Sequence, residues 1–183
     1  TFHVRAIDSA GNIDPSPATR NWTIDSISPT TTITAGIANG SWSNNTTQAF
    51  SFLSNEAGST FQCSLEQWGQ PKVWSSCTSP KTYTSLSEFG GNLRAFSVRA
   101  IDPTGNIDTT ENVPDEIRVF GIETTAPNTT VDSSPSANSN VTSPSFTFSS
   151  PEASTTFECK LDGGAWSACT SPKSYTGLSQ GSH

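Results

Sequence analysis

The stretch Phe96-Ser-Val-Arg-Ala-Ile-Asp-Pro-Thr-Gly-Asn-Ile-Asp108 decides how this chain folds, because the sequence contains it twice. It is already present near the N-terminus as Phe2-His-Val-Arg-Ala-Ile-Asp-Ser-Ala-Gly-Asn-Ile-Asp14. In both copies apolar and polar residues alternate. Phe2, Val4 and Ala6 point one way and His3 and Arg5 the other, which is the period of a half-buried strand. The Gly-Asn pair that follows supplies the positive φ of a tight turn. A return strand then runs over residues 20–25, with Trp22 and Ile24 on one face, and over 116–123 in the later copy. Each copy is therefore a β-hairpin.

Working outward, the residues before Phe96 also recur. Phe61 matches Phe157, Cys77 matches Cys169 and Pro29 matches Pro127, at offsets of about 92 to 98 residues. An offset of this size matches that of a two-sheet sandwich, and the alternating patterns make the expected fold all-β, with seven or so short strands per repeat. The complete copy reads as strands over residues 30–34, 48–54, 59–65, 81–86, 94–102 and 116–123. Residues 37–47 are rich in Gly, Asn and Ser and read as a loop, and 66–76 as a hairpin or loop. No helical periodicity stands out. The expected division is a terminal hairpin (1–25), one complete domain (26–124) and the opening strands of a further one (125–183).

Composition narrows the function. The apolar fraction is 32% and the net charge is -7, so a phosphate backbone or an anionic membrane surface is a poor partner. No apolar run approaches the ~20 residues that span a bilayer. The four cysteines fall as two near pairs, Cys63/Cys77 and Cys159/Cys169, at the same place in each copy. Their spacing is wrong for zinc, and we expect one disulfide per pair and an oxidising, extracellular location.

A lone hairpin at one end and an unfinished domain at the other leave two halves that need completing. Three arrangements do this. The chain is a stretch of a longer covalent array, or the hairpin of one subunit inserts into the open half of the next, or residues 1–25 fold back onto 127–183. The first two make a linear polymer in which the chain's partner is itself.

The run Thr155-Thr-Phe-Glu-Cys-Lys-Leu-Asp-Gly-Gly-Ala-Trp-Ser-Ala-Cys-Thr-Ser-Pro-Lys-Ser-Tyr-Thr-Gly-Leu-Ser-Gln-Gly-Ser-His183 resembles tandem immunoglobulin-like (fibronectin type III-like) repeats of large secreted and surface proteins of bacteria and archaea. Gly181-Ser-His183 placed before Thr1-Phe2 restores the family's Gly-x-His-x-Phe-x-Val-Arg-Ala run. The Gly-Asn-x-Asp turn and the Thr-Ala-Pro linker at 125–127 match as well. The middle copy departs at residues 66–73 and 88–93, where it carries insertions. The resemblance implies tandem immunoglobulin-like β-sandwiches in an extracellular filament, stalk or adhesin. It implies no catalytic residues and no cofactor, so the protein is not expected to be an enzyme. The alternative is a carbohydrate-binding or spacer module of a secreted enzyme.

Several side chains carry a second reading. Asp8, Asn12 and Asp14 recur as Asp102, Asn106 and Asp108 around the hairpin turn, and Glu56 and Asp25 should lie near the later set. Together they could ligate Ca²⁺ at a domain junction, or simply cap their own turns. Asn21, Asn39, Asn44, Asn45, Asn128 and Asn140 open N-x-Ser/Thr sequons. Trp22, Trp74 and Trp166 read as core. Trp42 and Trp68 lie in polar loops, where they could cover a neighbouring chain or stack on cell-surface glycans. His3 and His183 have no evident nucleophile beside them.

Overall fold

The computed structural model describes residues 1–88, 90–110 and 116–183. Among them there is no helix. Fifteen strands follow in chain order: β1 (Phe2–Val4), β2 (Ala18–Arg20), β3 (Thr31–Ala35), β4 (Ser41–Ser43), β5 (Gln48–Ser54), β6 (Thr60–Gln67), β7 (Ser75–Cys77), β8 (Lys81–Tyr83), β9 (Arg94–Ile101), β10 (Ile117–Ile122), β11 (Thr130–Ser133), β12 (Ser145–Ser149), β13 (Phe157–Cys159), β14 (Ser167–Cys169) and β15 (Lys173–Ser174). The chain divides into two compact units, Thr1–Thr124 and Thr125–His183.

The first unit holds the β1-β2 hairpin and two sheets, β3-β5-β8 and β4-β10-β9-β6-β7. Alternation along β5 and β9 explains how these sheets meet. Phe50 and Phe52 leave one side of β5, Phe96 and Val98 one side of β9, and all are buried in a single apolar cluster with Phe120 and Ile122 of β10. Phe50 stacks on Phe96 with centroids 4.1 Å apart and planes at 14°. Burying each such side chain contributes about 1.5–3 kcal/mol.

The core also contains a carboxylate. Asp108 is buried, but its Oδ2 accepts from the Thr31 amide and Thr31 Oγ1, each at 2.7 Å. Thr31 Oγ1 in turn accepts from the Ala100 amide at 2.8 Å. A buried charge persists only with such partners. This network fastens β3 to the end of β9.

Part of the expected loop at 37–47 is strand. β4 pairs in parallel with β10, Ser41 opposite Phe120 and Ser43 opposite Ile122. Its partner lies far away in sequence, so neither the three residues nor their polar composition announces it. Trp42 is consequently not in a free loop. Its ring covers Gly121, where a Cβ would come within 2.2 Å of it. Trp74 is not core either. It stands on the outer face with the Arg99 guanidinium 4.3 Å from its ring centroid. Trp22 and Trp166 are 60% and 61% exposed.

The second unit repeats the opening strands of the first in detail. Its sheets are β11-β12-β15 and β13-β14. Val131 pairs with Phe148 as Ile33 pairs with Phe52, each followed by the same register shift. Phe148 meets Phe157 at 5.0 Å and 65°, as Phe52 meets Phe61. Ser171 Oγ accepts from the Phe148 amide at 2.9 Å, and Ser79 Oγ from the Phe52 amide at 2.8 Å. Both cysteine pairs are disulfides, Cys63–Cys77 and Cys159–Cys169, with Cα atoms 5.8 Å apart in each.

Candidate functional site

Two surfaces stand out because their equivalents elsewhere in the chain are buried. The first is the inner face of residues 125–183. Phe146, Phe148, Phe157 and Tyr175 correspond to Phe50, Phe52, Phe61 and Tyr83, yet no residue of this unit belongs to the buried apolar core. They line a concavity of about 690 Å³, flanked by Val131 and Leu161. In the first unit β9 pairs with β6 along its whole length, from Thr60 opposite Ile101 to Gln67 opposite Arg94. β13, the counterpart of β6, pairs with β14 alone.

The second surface is the terminal hairpin. β1 and β2 pair Phe2 with Arg20 and Val4 with Ala18. The later hairpin pairs Phe96 with Arg118 in the same way. Their turns also coincide. The Asp14 amide donates to the Ala6 carbonyl and the Asp108 amide to the Ala100 carbonyl, both at 2.9 Å. Asp8 takes the Asn12 amide and side chain as Asp102 takes those of Asn106. Gly11 and Gly105, at φ +86° and +98°, allow the matching turns. Burial separates the two hairpins. Phe96 and Phe120 are fully buried, whereas their counterparts Phe2 and Trp22 are 55% and 60% exposed. A cluster this apolar on a chain this polar marks a contact surface.

The eight residues named as oxygen ligands do not form one site. Asp25, Glu56 and Asp102 do come together, each offering a carboxylate oxygen within 4.8 Å of the others. Burial and the nearby Asp102 and Asp25 charges push the Glu56 carboxyl up. Burial works the same way on Asp102, but hydrogen bonds from Asn106 and Thr104 outweigh it and hold that carboxyl below its ordinary range. Asn106 also donates to the Asp25 carbonyl at 3.2 Å, tying the incoming linker to the turn. Three hard oxygens suit Ca²⁺ but make only part of the six to eight it takes. The other residues serve their own turns or the core. Asp8 is held low chiefly by Asn12, Asp14 by Ser16, and Asp108 is spent on Thr31 and Thr110.

The sequon asparagines Asn21, Asn39, Asn44, Asn45, Asn128 and Asn140 are all exposed. Two have structural duties as well: Asn39 Oδ1 accepts from the Val119 amide at 2.8 Å, and Asn45 Oδ1 from the Thr47 amide at 2.9 Å. Trp68 is 53% exposed at the end of β6. Both ring nitrogens of His183 face oxygens that are not hydroxyls. Nδ1 lies 3.0 Å from Asp162 Oδ2 and Nε2 lies 2.9 Å from the Ser179 carbonyl, an arrangement that raises its pKa.

Comparison of the chain with family models, with curated proteins and with solved structures finds no match to any of them.

Proposed function

We propose that the protein is a non-catalytic structural repeat of an extracellular filament, stalk or adhesin, built from immunoglobulin-like β-sandwiches joined head to tail. One observation carries this reading. Beside one complete copy, the chain repeats its closing hairpin and its opening strands: the hairpin exposes Phe2, Val4, Trp22 and Ile24, whose counterparts Phe96, Val98, Phe120 and Ile122 are buried, and the opening strands leave Phe146 and Phe148 half-buried where Phe50 and Phe52 are buried. The order β3-β5-β8 against β4-β10-β9-β6-β7 fits the sandwich, with a first strand that switches sheets. Two disulfides fit an oxidising compartment. The lever is mechanical: sheet ladders, stapled loops and short Pro-containing linkers resist extension, and Ser/Thr-rich faces keep the string hydrated.

The test is electron microscopy of native material, with the mass of its denatured, reduced chain. Thin fibres or surface stalks carrying this sequence are the expected result. A dispersed protein of secreted fluid, found with a catalytic domain on the same chain, would support instead the spacer or glycan-binding reading. Exposed Trp68 favours that reading, and loss of glycan binding in Trp68→Ala would identify it.

A further inference from the structure

We infer that Glu116 is a buried, proton-operated latch: as a neutral acid it donates to the Thr110 hydroxyl and so joins the start of β10 to the Asp108 network, and on losing its proton it loosens that strand. The device lies within residues 31–116 and does not depend on how the chain is assembled.

The hydrogen bonds set the count of protons. Thr110 Oγ1 meets two carboxyl oxygens, Asp108 Oδ1 at 2.6 Å and Glu116 Oε1. A threonine hydroxyl has one proton to give, so one of the two carboxyls must carry another. Asp108 is not that one. Its Oδ2 accepts from the Thr31 amide and hydroxyl, each at 2.7 Å, and its Oδ1 from the Thr110 amide at 3.1 Å. Thr31 Oγ1 accepts from the Ala100 amide and hands its own proton to Asp108. Donors converging on one carboxylate favour its ionised form. The proton therefore sits on Glu116, which gives it to Thr110 Oγ1, and Thr110 gives its own to Asp108 Oδ1.

The surroundings agree. Asp108 and Glu116 are 1% and 4% exposed, and two carboxyls so enclosed do not readily ionise together. Burial above all, with the Asp108 charge added, pushes the Glu116 carboxyl up to about 7. The Lys72 ammonium, from the segment after β6, pulls the other way but also faces Glu66. Arg118 of β10 donates to the Ile117 and Ile33 carbonyls, and Arg99 of β9 turns to Gln62 and Trp74 on the outer face. β3 carries no titratable side chain. Glu111 and Asp115 lie outside the described residues.

The latch sits where the closing hairpin begins its return. The Glu116 carbonyl accepts from the Val98 amide at 3.1 Å, and Ile117 next pairs with Ser97. Through Thr110, Asp108 and Thr31 the Glu116 side chain is also tied to β3, in the opposite sheet. Loss of the proton leaves Thr110 with one proton for two carboxylates and sets a second negative charge beside Asp108. The β9-β10 hairpin is thus held more firmly in mildly acidic than in alkaline surroundings. The turn itself does not need the acid. In the terminal hairpin Asp14 Oδ1 accepts from the Ser16 amide and hydroxyl, as Asp108 Oδ1 does from Thr110, yet Ala18 stands at the Glu116 position.

NMR titration of the side-chain carboxyl carbons in the 183-residue chain, with amide hydrogen exchange at pH 5 and pH 8, tests this. We expect Glu116 to titrate near neutrality while Asp108 stays ionised over the same range. A carboxyl raised on folding contributes below its unfolded value, and that contribution is lost as pH rises through the folded one. The Val98 amide, corrected for the intrinsic rate of exchange, should therefore lose about ten-fold or more in protection between the two pH values, since one proton is worth up to ten-fold per pH unit. In Glu116→Gln, neutral at every pH, that loss should vanish. Thr110→Val takes away the acceptor of the proton and should move the Glu116 midpoint down. A midpoint that stays or moves up in Thr110→Val would overturn the proposal. So would a Glu116 that titrates in the ordinary carboxylate range, or a loss at Val98 that persists in Glu116→Gln.

Discussion

Residues 26–124 and 125–183 carry nearly the same opening strands but differ in what they bury. In the first, Phe50 and Phe52 are covered by β9 and β10 and are almost inaccessible to solvent. In the second, Phe146 and Phe148 keep the same ring contacts with Tyr175 and Phe157 but stay part-exposed. So the local geometry of the early strands does not need the closing hairpin. It is held by the disulfide, the Ser171 hydroxyl, the Leu178 amide bonded to the Thr142 carbonyl, and the aromatic pairs. The hairpin contributes the burial that makes a stable core.

The sharpest way to break this comparison is to remove the same ring from both hairpins. Phe96→Ala should cost the complete domain about 3–5 kcal/mol. Phe2→Ala should leave its urea midpoint unchanged in dilute chain, because Phe2 is exposed there. Equal losses from the two substitutions would show that the terminal hairpin is already packed in the monomer.

Removing the staples is next in size. Replacing Cys63 and Cys77 by Ala should cost about 3 kcal/mol for a loop of this length, with the complete domain still folding on its remaining core. Replacing Cys159 and Cys169 should instead abolish the protection of β13 amides in hydrogen exchange, since that unit has no buried core to fall back on. Retained protection there would mean that the unit is stabilised by something other than its staple.

A smaller effect separates the hairpin turns. Burial, with Asp108 nearby, pushes the Glu116 carboxyl up to about 7. A carboxyl raised on folding stabilises the protein below its unfolded value and loses that contribution as pH rises through the folded one. Between pH 5 and pH 8 the complete domain should therefore lose stability, and Glu116→Gln should flatten that slope. Asp108 acts in the opposite sense. Burial pushes its carboxyl up, but hydrogen bonds from Thr110 and Thr31 together outweigh that and hold it below the ordinary range, so its contribution is present near neutrality and disappears only in stronger acid. Ala18 occupies the Glu116 position in the terminal hairpin, so no such slope should arise from that end. Chemical denaturation at stepped pH reads both.

The smallest change concerns the junction. Glu56 sits near Asp25 and Asp102. In chelating buffer at low salt, Glu56→Gln should raise the melting temperature slightly by relieving like-charge repulsion, and added salt should narrow the difference from the parent chain. A fall on substitution would show that Glu56 makes a favourable contact which outweighs the repulsion.

Much of this was legible in residue order alone. Strict alternation at Phe2-Val4-Ala6 and Phe96-Val98-Ala100 specifies strands and their inner faces, because the side-chain period of a strand is two. The Gly-Asn turns specify hairpins, because few residues tolerate positive φ. Recurrence of Cys, Phe and Pro at offsets of about 92 to 98 residues marks where one unit ends and the next begins. These are local signals.

Pairings between distant residues were decided only by the tertiary structure. β4 was hidden in a polar stretch because its identity depends on β10, nearly eighty residues later. The role of Asp108 depends on Thr31, and that of Gly121 on the ring of Trp42. The tryptophans show the limit most plainly. Trp22 and Trp166 carry core-like signals in the sequence pattern but lie just outside β2 and β14, and burial depends on side chains that are not neighbours in sequence.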